Sequence, residues 1–202
     1  REHCRALLEA GANVVAIDLD KEEMERFVEE TAEEYDAEDR LLGMNSDITD
    51  FDEIVQLRDT VLARFESIDV LVNNAAINDM FETPAAAAEQ SKFENYPRSM
   101  WQKAIDVNIT GTFICAQVLG AVMARQGSGS IINVASTYGV VAPDQSLYEK
   151  PDGSQDFYKS PVYPVTKGAV ISFTRFLAAY WGRAGVRVNT LSPGGVLNGQ
   201  DE

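Results

Sequence analysis

Five short apolar runs, at residues 13–18, 41–46, 68–72, 130–136 and 186–191, alternate along the chain with segments of helical period. The helical segments are 1–10 (closed by Gly11), 21–35, 51–65, 100–125 and 163–181. Continuous apolar strands alternating with helices predict a parallel sheet, because each parallel connection has to cross over a face of that sheet. The expected architecture is therefore α/β: a doubly wound, Rossmann-like sheet with helices on both faces. No internal repeat and no linker interrupts the order, so residues 1–202 read as one domain, and 45% hydrophobic residues suffice for a substantial core. The alanine run at 85–88 lies in a polar, proline-containing connection and reads as a loop or a small helix.

Charge bounds the partners. With 32 acidic against 17 basic residues the net charge is −15, which argues against nucleic acid or an anionic membrane surface. No apolar run approaches the ~20 residues of a membrane span and no secretory leader opens the chain, which points to the cytoplasm. Cys4 and Cys115 fall in separate helical patterns and read as two buried thiols, with no metal-binding cluster. The one histidine, His3, lies in the first helix and reads as structural.

Tyr163 and Lys167 stand four residues apart at the start of the last helical run, on one face and one turn apart. A phenol alone is a poor base at neutral pH, but an ammonium nearby favours the phenolate and permits proton exchange with an alcohol or carbonyl. Tyr and Lys at this spacing also occur by chance on solvated helix starts, so other motifs must decide. They arrive in order: Asn73-Asn74-Ala75-Ala76 after the third apolar run, Asn108 in Asp-Val-Asn-Ile-Thr-Gly, Ser136 ending Ser-Ile-Ile-Asn-Val-Ala-Ser, and Ser192-Pro193-Gly194-Gly195 after the fifth run. Over essentially the whole chain this combination resembles the classical short-chain dehydrogenases/reductases.

The resemblance implies an oxidoreductase that interconverts a secondary alcohol and a ketone with NAD. It makes Tyr163 the acid/base and Lys167 the group that favours its phenolate and holds the nicotinamide ribose. It also makes Ser136 the hydrogen-bond donor to the substrate oxygen and Asn108 the holder of a water behind Lys167. Cofactor contacts carry over to Asp18, Asp47, Ile48, Asn74, Ala75, Ala76, Tyr163, Lys167, Pro193, Gly194 and Val196. Asp18 ends an apolar run, where a carboxylate accepts from both ribose hydroxyls and repels a 2′-phosphate, favouring NAD over NADP. Asp20 is better placed than Asp18 to cap the next helix, and Asp50 or Thr49 to cap the helix from Phe51. A serine-hydrolase reading of Ser136 lacks a partner histidine. Family members commonly form homodimers or homotetramers through the helices that carry Asn108 and Tyr163.

Three departures qualify the resemblance. The family's Thr-Gly-x-x-x-Gly-x-Gly turn, which holds a pyrophosphate on backbone amides, is absent, as are the strand before it and the usual segment after Gly195. We therefore expect a longer enzyme, with a truncated, inactive product as the alternative. Ser136 and Tyr163 are 27 residues apart and Asn74 and Asn108 are 34 apart, both longer than in many members. The extra residues, 140–162, read as a functional loop whose polar and aromatic side chains suit a sugar or nucleotide-sugar alcohol. The run Ser-Thr-Tyr-Gly-Val-Val-Ala-Pro before it resembles members linked to surface-sugar or flagellin modification; the other reading of the loop is a dimer contact or a decoration. Two rival functions stay open: a catalytically inactive nucleotide-binding scaffold, and a nucleotide-sugar epimerase or dehydratase, which shares Tyr-x-x-x-Lys.

Overall fold

Two parallel ladders organise the chain, one in each of the units Arg1–Ile68 and Asp69–Glu202; the computed structural model describes residues 1–78 and 84–195. In the first unit α1 (Glu2–Glu9) leads to β1 (Val14–Asp18), α2 (Lys21–Tyr35), β2 (Leu41–Asn45) and α3 (Phe51–Phe65). Gly11, at φ +83°, ends the first helix in the left-handed region that other residues avoid. β1 and β2 run parallel, with Val14 beside Leu41 and Asp18 beside Asn45.

Local chemistry sets the helix ends. The Asp20 carboxylate accepts from Glu23 N–H at 3.0 Å, and that of Asp50 accepts from Asp52 and Glu53 N–H at 2.9 and 3.1 Å. Each satisfies first-turn donors that have no intrahelical partner. Met24, Phe27 and Thr31 line the buried stripe of α2, and Leu8, Val14, Ala32, Ala37 and Leu41 form one apolar cluster. Arg40 ties its rim, donating to the carbonyls of Leu8 and Ala12 at 3.1 and 3.3 Å.

The second unit holds β3 (Val70–Asn73), α4 (Pro84–Gln90), α5 (Arg98–Gln126), β4 (Gly129–Val134), α6 (Val162–Trp181) and β5 (Val186–Leu191). Its strands are parallel in the order β3-β4-β5, with Val72 beside Ile132 and Ile132 beside Asn189. Ile131, Val186 and Val188 are buried, as are Val162, Thr166, Val170, Thr174 and Leu177 of α6. That three-to-four spacing is one helix face. The alternation of parallel strands and helices is the Rossmann-like α/β fold expected.

Two expectations need correction. The third strand was expected buried at 68–72, but it runs Val70–Asn73 and its first residue is 45% exposed. β3 pairs with β4 along its whole length, and that ladder sets where the strand begins and ends. Residues 98–126 also form a helix long and apolar enough, by length and composition, to cross a membrane. Yet 61% of its most apolar window is buried within the protein, and Asn108 on the same helix is 1% exposed. Most of that window is therefore core surface, and two π turns, Asp106–Gly111 and Ala116–Gly120, interrupt the helix.

Candidate active site

Residue 160 prepares the helix that carries Tyr163 and Lys167. The Ser160 hydroxyl accepts from the N–H groups of Val162 and Tyr163 at 3.2 and 3.4 Å, filling the role of a cap. Pro164, third in the helix, costs no hydrogen bond, because first-turn N–H groups have no helical acceptor. Tyr163 is half-buried. Lys167 is 4% exposed, with its ammonium 5.7 Å from the Tyr163 ring centroid. Lys167 Nζ donates to the Val134 carbonyl at 2.7 Å, which leaves two of its three N–H groups for other acceptors. Burial pushes this ammonium below its ordinary pKa, since desolvation disfavours the charged form.

Val134 ends β4, and Ser136 follows it out of the sheet. Ser136 is 8% exposed and caps a short 3-10 turn, its hydroxyl accepting from Tyr138 N–H at 3.2 Å. Among the described residues that hydroxyl makes no other hydrogen bond, so its proton is available. The turn lies directly on α6: a Cβ built on Gly139 would stand 2.7 and 2.8 Å from the backbone C and O of Lys167. Pro193 closes the same corner, its carbonyl accepting from Thr137 N–H at 3.1 Å, and Gly194 faces the Thr137 methyl.

Asn108 sits in the first π turn of α5, where widened backbone bonding frequently marks a functional position. Its carboxamide accepts from Ile77 N–H at 2.8 Å and donates to the Ile77 carbonyl at 3.0 Å. It also donates to Thr166 Oγ1 at 3.2 Å, and the Thr166 hydroxyl donates to the Tyr163 carbonyl at 2.9 Å. Asn108 thereby joins the helix start to the strand-end segment in which Asn74, Ala75 and Ala76 are exposed. Ser136, Asn108, Tyr163, Lys167 and Pro193 are thus joined by direct bonds and close backbone contact within one unit.

Asp18, Asp47 and Ile48, expected from the resemblance to meet the adenosine end of a cofactor, lie in the first unit. The exposed Asp18 accepts from Asp20 N–H through Oδ1 at 3.0 Å, leaving Oδ2 open among the described residues. Asp47 Oδ1 accepts from the N–H and hydroxyl of Thr49 at 2.8 and 2.7 Å, so its carboxylate shapes the turn that carries the half-buried Ile48. Val196 lies outside the described residues.

Structure adds two positions that motif reading passed over. Gly139 permits the close approach to α6. Asn133, fully buried, accepts from Asn73 Nδ2 at 2.8 Å and donates to Thr174 at 2.9 Å, tying β3, β4 and α6 together. The signal for Asn133 was present in the sequence as a polar residue inside an apolar strand.

The 140–162 segment is built rather than loose. It contains a 3-10 turn, Gln145–Tyr148, and the Tyr148 hydroxyl meets that of Tyr138 at 3.0 Å. Burial first, then that hydroxyl contact, push the Tyr148 phenol up to about 12. Tyr158 N–H donates to the buried Ser91 hydroxyl at 2.8 Å.

Residues 1–149 match the short chain dehydrogenase family and residues 152–200 match the enoyl-(acyl carrier protein) reductase family. The D-threitol dehydrogenase of Mycolicibacterium smegmatis is 32% identical over 187 residues, 93% of this chain and 62% of that protein. A solved gluconate 5-dehydrogenase from Burkholderia cenocepacia, in complex with NADP and tartrate, is 27% identical with a TM-score of 0.75, over 95% of this chain and 64% of that one. A solved NAD+-bound xylitol dehydrogenase is 25% identical with a TM-score of 0.78, over 95% of this chain and 63% of that one. The chain spans less than two thirds of the length of each.

Proposed function

The chain belongs to the short-chain dehydrogenase family, and on that premise we propose that it is the major part of an NAD-dependent oxidoreductase interconverting a secondary alcohol and a ketone. The observation that carries this reading is the buried Lys167 ammonium, held by Val134 against the Tyr163 ring with donors to spare. Those donors suit ribose hydroxyls, and in the first unit the open oxygen of Asp18 suits a ribose as well, so each unit by itself offers groups of the kind a nicotinamide dinucleotide needs. When bound, that cofactor supplies the hydride acceptor or donor. Because both NAD- and NADP-bound relatives share the fold, the preference for NAD rests on Asp18 alone.

The protein's part is proton management and position. In oxidation Tyr163 takes the proton of the substrate hydroxyl, and in reduction it returns one. Lys167 sets its charge 5.7 Å from the centre of the Tyr163 ring and fixes the ribose by its free N–H groups. Ser136 donates its hydroxyl proton to the substrate oxygen. Asn108, its carboxamide spent on Ile77 and Thr166, keeps the start of α6 in place, and a water that relays the proton would be held by its main-chain carbonyl and not by its side chain.

A sugar or polyol alcohol is the substrate class we favour. The polar, aromatic 140–162 segment supports it, as do the threitol, xylitol and gluconate names of similar proteins. A surface-glycan or nucleotide sugar is its more specific form. Phe113 of α5 and Val165, Phe176 and Tyr180 of α6 are exposed, which supports a homodimer or homotetramer formed through these helices. Two unpaired thiols, Cys4 and Cys115, suit a reducing, cytoplasmic compartment.

The test is Tyr163→Phe in the full-length enzyme, after NAD-linked absorbance screening against sugars, polyols and nucleotide sugars. Turnover should fall by roughly 10²–10⁴-fold, the usual worth of general acid–base catalysis, while NADH affinity stays nearly unchanged. Retained turnover would refute the role of Tyr163, and NADH binding without turnover on any alcohol would refute the enzyme reading.

A further inference from the structure

Of the two lysines in the 140–162 segment, Lys150 pairs with Asp156 at 2.7 Å. The other aspartates there are also engaged. Asp144 accepts from Ser146 N–H and hydroxyl at 3.0 and 2.8 Å, and Asp152 from those of Ser154 at 3.0 and 2.7 Å. Lys159 has no carboxylate within ion-pair distance and no acceptor for its ammonium among the described residues. Its backbone is nevertheless held on both sides: Lys159 N–H donates to Gln145 Oε1 at 2.9 Å and its carbonyl accepts from Gln145 Nε2 at 3.1 Å. Gln155 in turn donates to the Gln145 carbonyl at 2.7 Å.

The ammonium is placed over two rings, 5.0 Å from the Tyr148 centroid and 5.6 Å from that of Phe157. Ring faces attract a cation, but they neutralise no charge and accept no strong hydrogen bond. The Tyr148 phenol, pushed up to about 12, is neutral at physiological pH and supplies no anion to satisfy the lysine. The same ring reaches the site scaffold, since Tyr148 meets Tyr138 two residues beyond Ser136. On the other side, Lys159 is followed by Ser160, which caps the turn carrying Tyr163. A chain of net charge −15 repels anions from most of its surface. The 140–162 segment carries four carboxylates, Asp144, Glu149, Asp152 and Asp156, against two lysines, and of those two Lys159 is the one whose ammonium no carboxylate pairs among the described residues.

We propose that Lys159 is the specificity residue for an anionic polyol: the alcohol oxidised at Tyr163 bears a carboxylate or phosphate that the Lys159 ammonium binds. This rests on the dehydrogenase reading above. Sorbitol, gluconate and sorbitol 6-phosphate share a six-carbon polyol chain and differ in the charged group, so they serve as probes on the full-length enzyme. The ratio of kcat/KM for the better anion to that for sorbitol should be about tenfold or more, the worth of a charge-assisted hydrogen bond. Lys159→Gln should bring that ratio near unity through KM, and Lys159→Arg should restore most of it. Sorbitol equal to both anions, or a ratio unchanged by Lys159→Gln, overturns the proposal. The preferred anion tells carboxylate from phosphate recognition. Calorimetric binding of the three probes to the NADH complex reads the same order without turnover, and equal affinities, or no binding by any of them, also overturn it. Anion binding that depends on Lys159, in an enzyme that oxidises no alcohol, would leave the subsite standing and overturn the parent reading instead.

Discussion

Substituting Gly139 by alanine tests whether the corner between the Ser136 turn and α6 sets the reacting geometry. The added Cβ would stand 2.7 Å from Lys167 C, 2.8 Å from its O and 3.0 Å from Gly168 N, all backbone atoms of a regular helix. Ordinary contact begins at 3.4 Å, so turn and helix must part by about 0.7 Å, the difference between 3.4 and 2.7 Å. Overpacking of this kind costs roughly 1–3 kcal/mol, or about 2–4 °C of melting temperature per kcal/mol in a domain of this size. Ser136 begins the turn and moves with it. Catalytic groups tolerate about 0.5 Å of displacement, and a misplacement of about 1 Å can cost ~10²-fold.

Gly139→Ala should therefore lower kcat/KM by roughly ten- to a hundredfold and lower the melting temperature as well. Steady-state rates on the best alcohol from the screen and a thermal melt give both readouts. Gly182→Ala is the control, because a Cβ there meets nothing within 4 Å. Wild-type rate and melting temperature in Gly139→Ala would show that the close approach does not position Ser136, and the geometric reading of that corner would fail.

Asp18→Ser replaces the carboxylate at the end of β1 with a neutral hydroxyl. The kcat/KM preference for NAD over NADP should shrink about tenfold or more, as repulsion of the 2′-phosphate and charge-assisted ribose bonds are lost together. An unchanged ratio would remove Asp18 from the cofactor site. Cys115, 3% exposed in α5, has its thiol pushed by burial from the ordinary 9.0 up to about 12. A raised folded-state pKa means that its stabilising contribution is whole below 9.0 and is lost as the pH rises toward 12. Between about pH 8 and about pH 10 the wild type should lose about 1.4 kcal/mol more unfolding free energy than Cys115→Ala. Urea titrations at the two pH values, under a phosphine reductant, measure that difference; identical losses in the two proteins would show that the thiol titrates freely.

Features decided within one element were legible in the sequence, and features decided between elements were not. α2 and α3 have the expected ends because Asp20 and Asp50 sit within one turn of the donors they satisfy. Tyr163 and Lys167 were readable as a pair because helical spacing alone brings them together. The third strand begins two residues later than the apolar run at 68–72, because apolar content alone does not fix a strand's bounds, which pairing with β4 decides. The span-length apolar character of α5 was missed because polar residues interrupt it in sequence. The contact of Gly139 with Lys167 rests on a missing side chain, which leaves no chemical trace to read. The order inside 140–162 rests on pairs such as Tyr138 with Tyr148 and Tyr158 with Ser91, which no local pattern connects.

The buried polar groups around α6 separate structure from function by their unused bonding capacity. An unsatisfied polar group in a core costs roughly 1–3 kcal/mol, so a fold retains one only with partners or with a purpose. Asn133 spends its carboxamide on Asn73 and Thr174, and the Thr174 hydroxyl donates to the Val170 carbonyl at 2.8 Å. Asn108 spends its carboxamide on Ile77 and Thr166, and the Thr166 hydroxyl donates to the main-chain carbonyl of Tyr163. These side-chain groups are satisfied and account for rigidity. Lys167 is different, with two donors in hand and an ammonium held against its solvation preference. Ser136 likewise keeps its proton free while nearly buried. Lys167 lies beside the Tyr163 ring, and Ser136 begins the turn whose Gly139 rests on the Lys167 backbone. Stability alone would have filled or removed these valences; in the proposed function a reacting alcohol and a ribose use them.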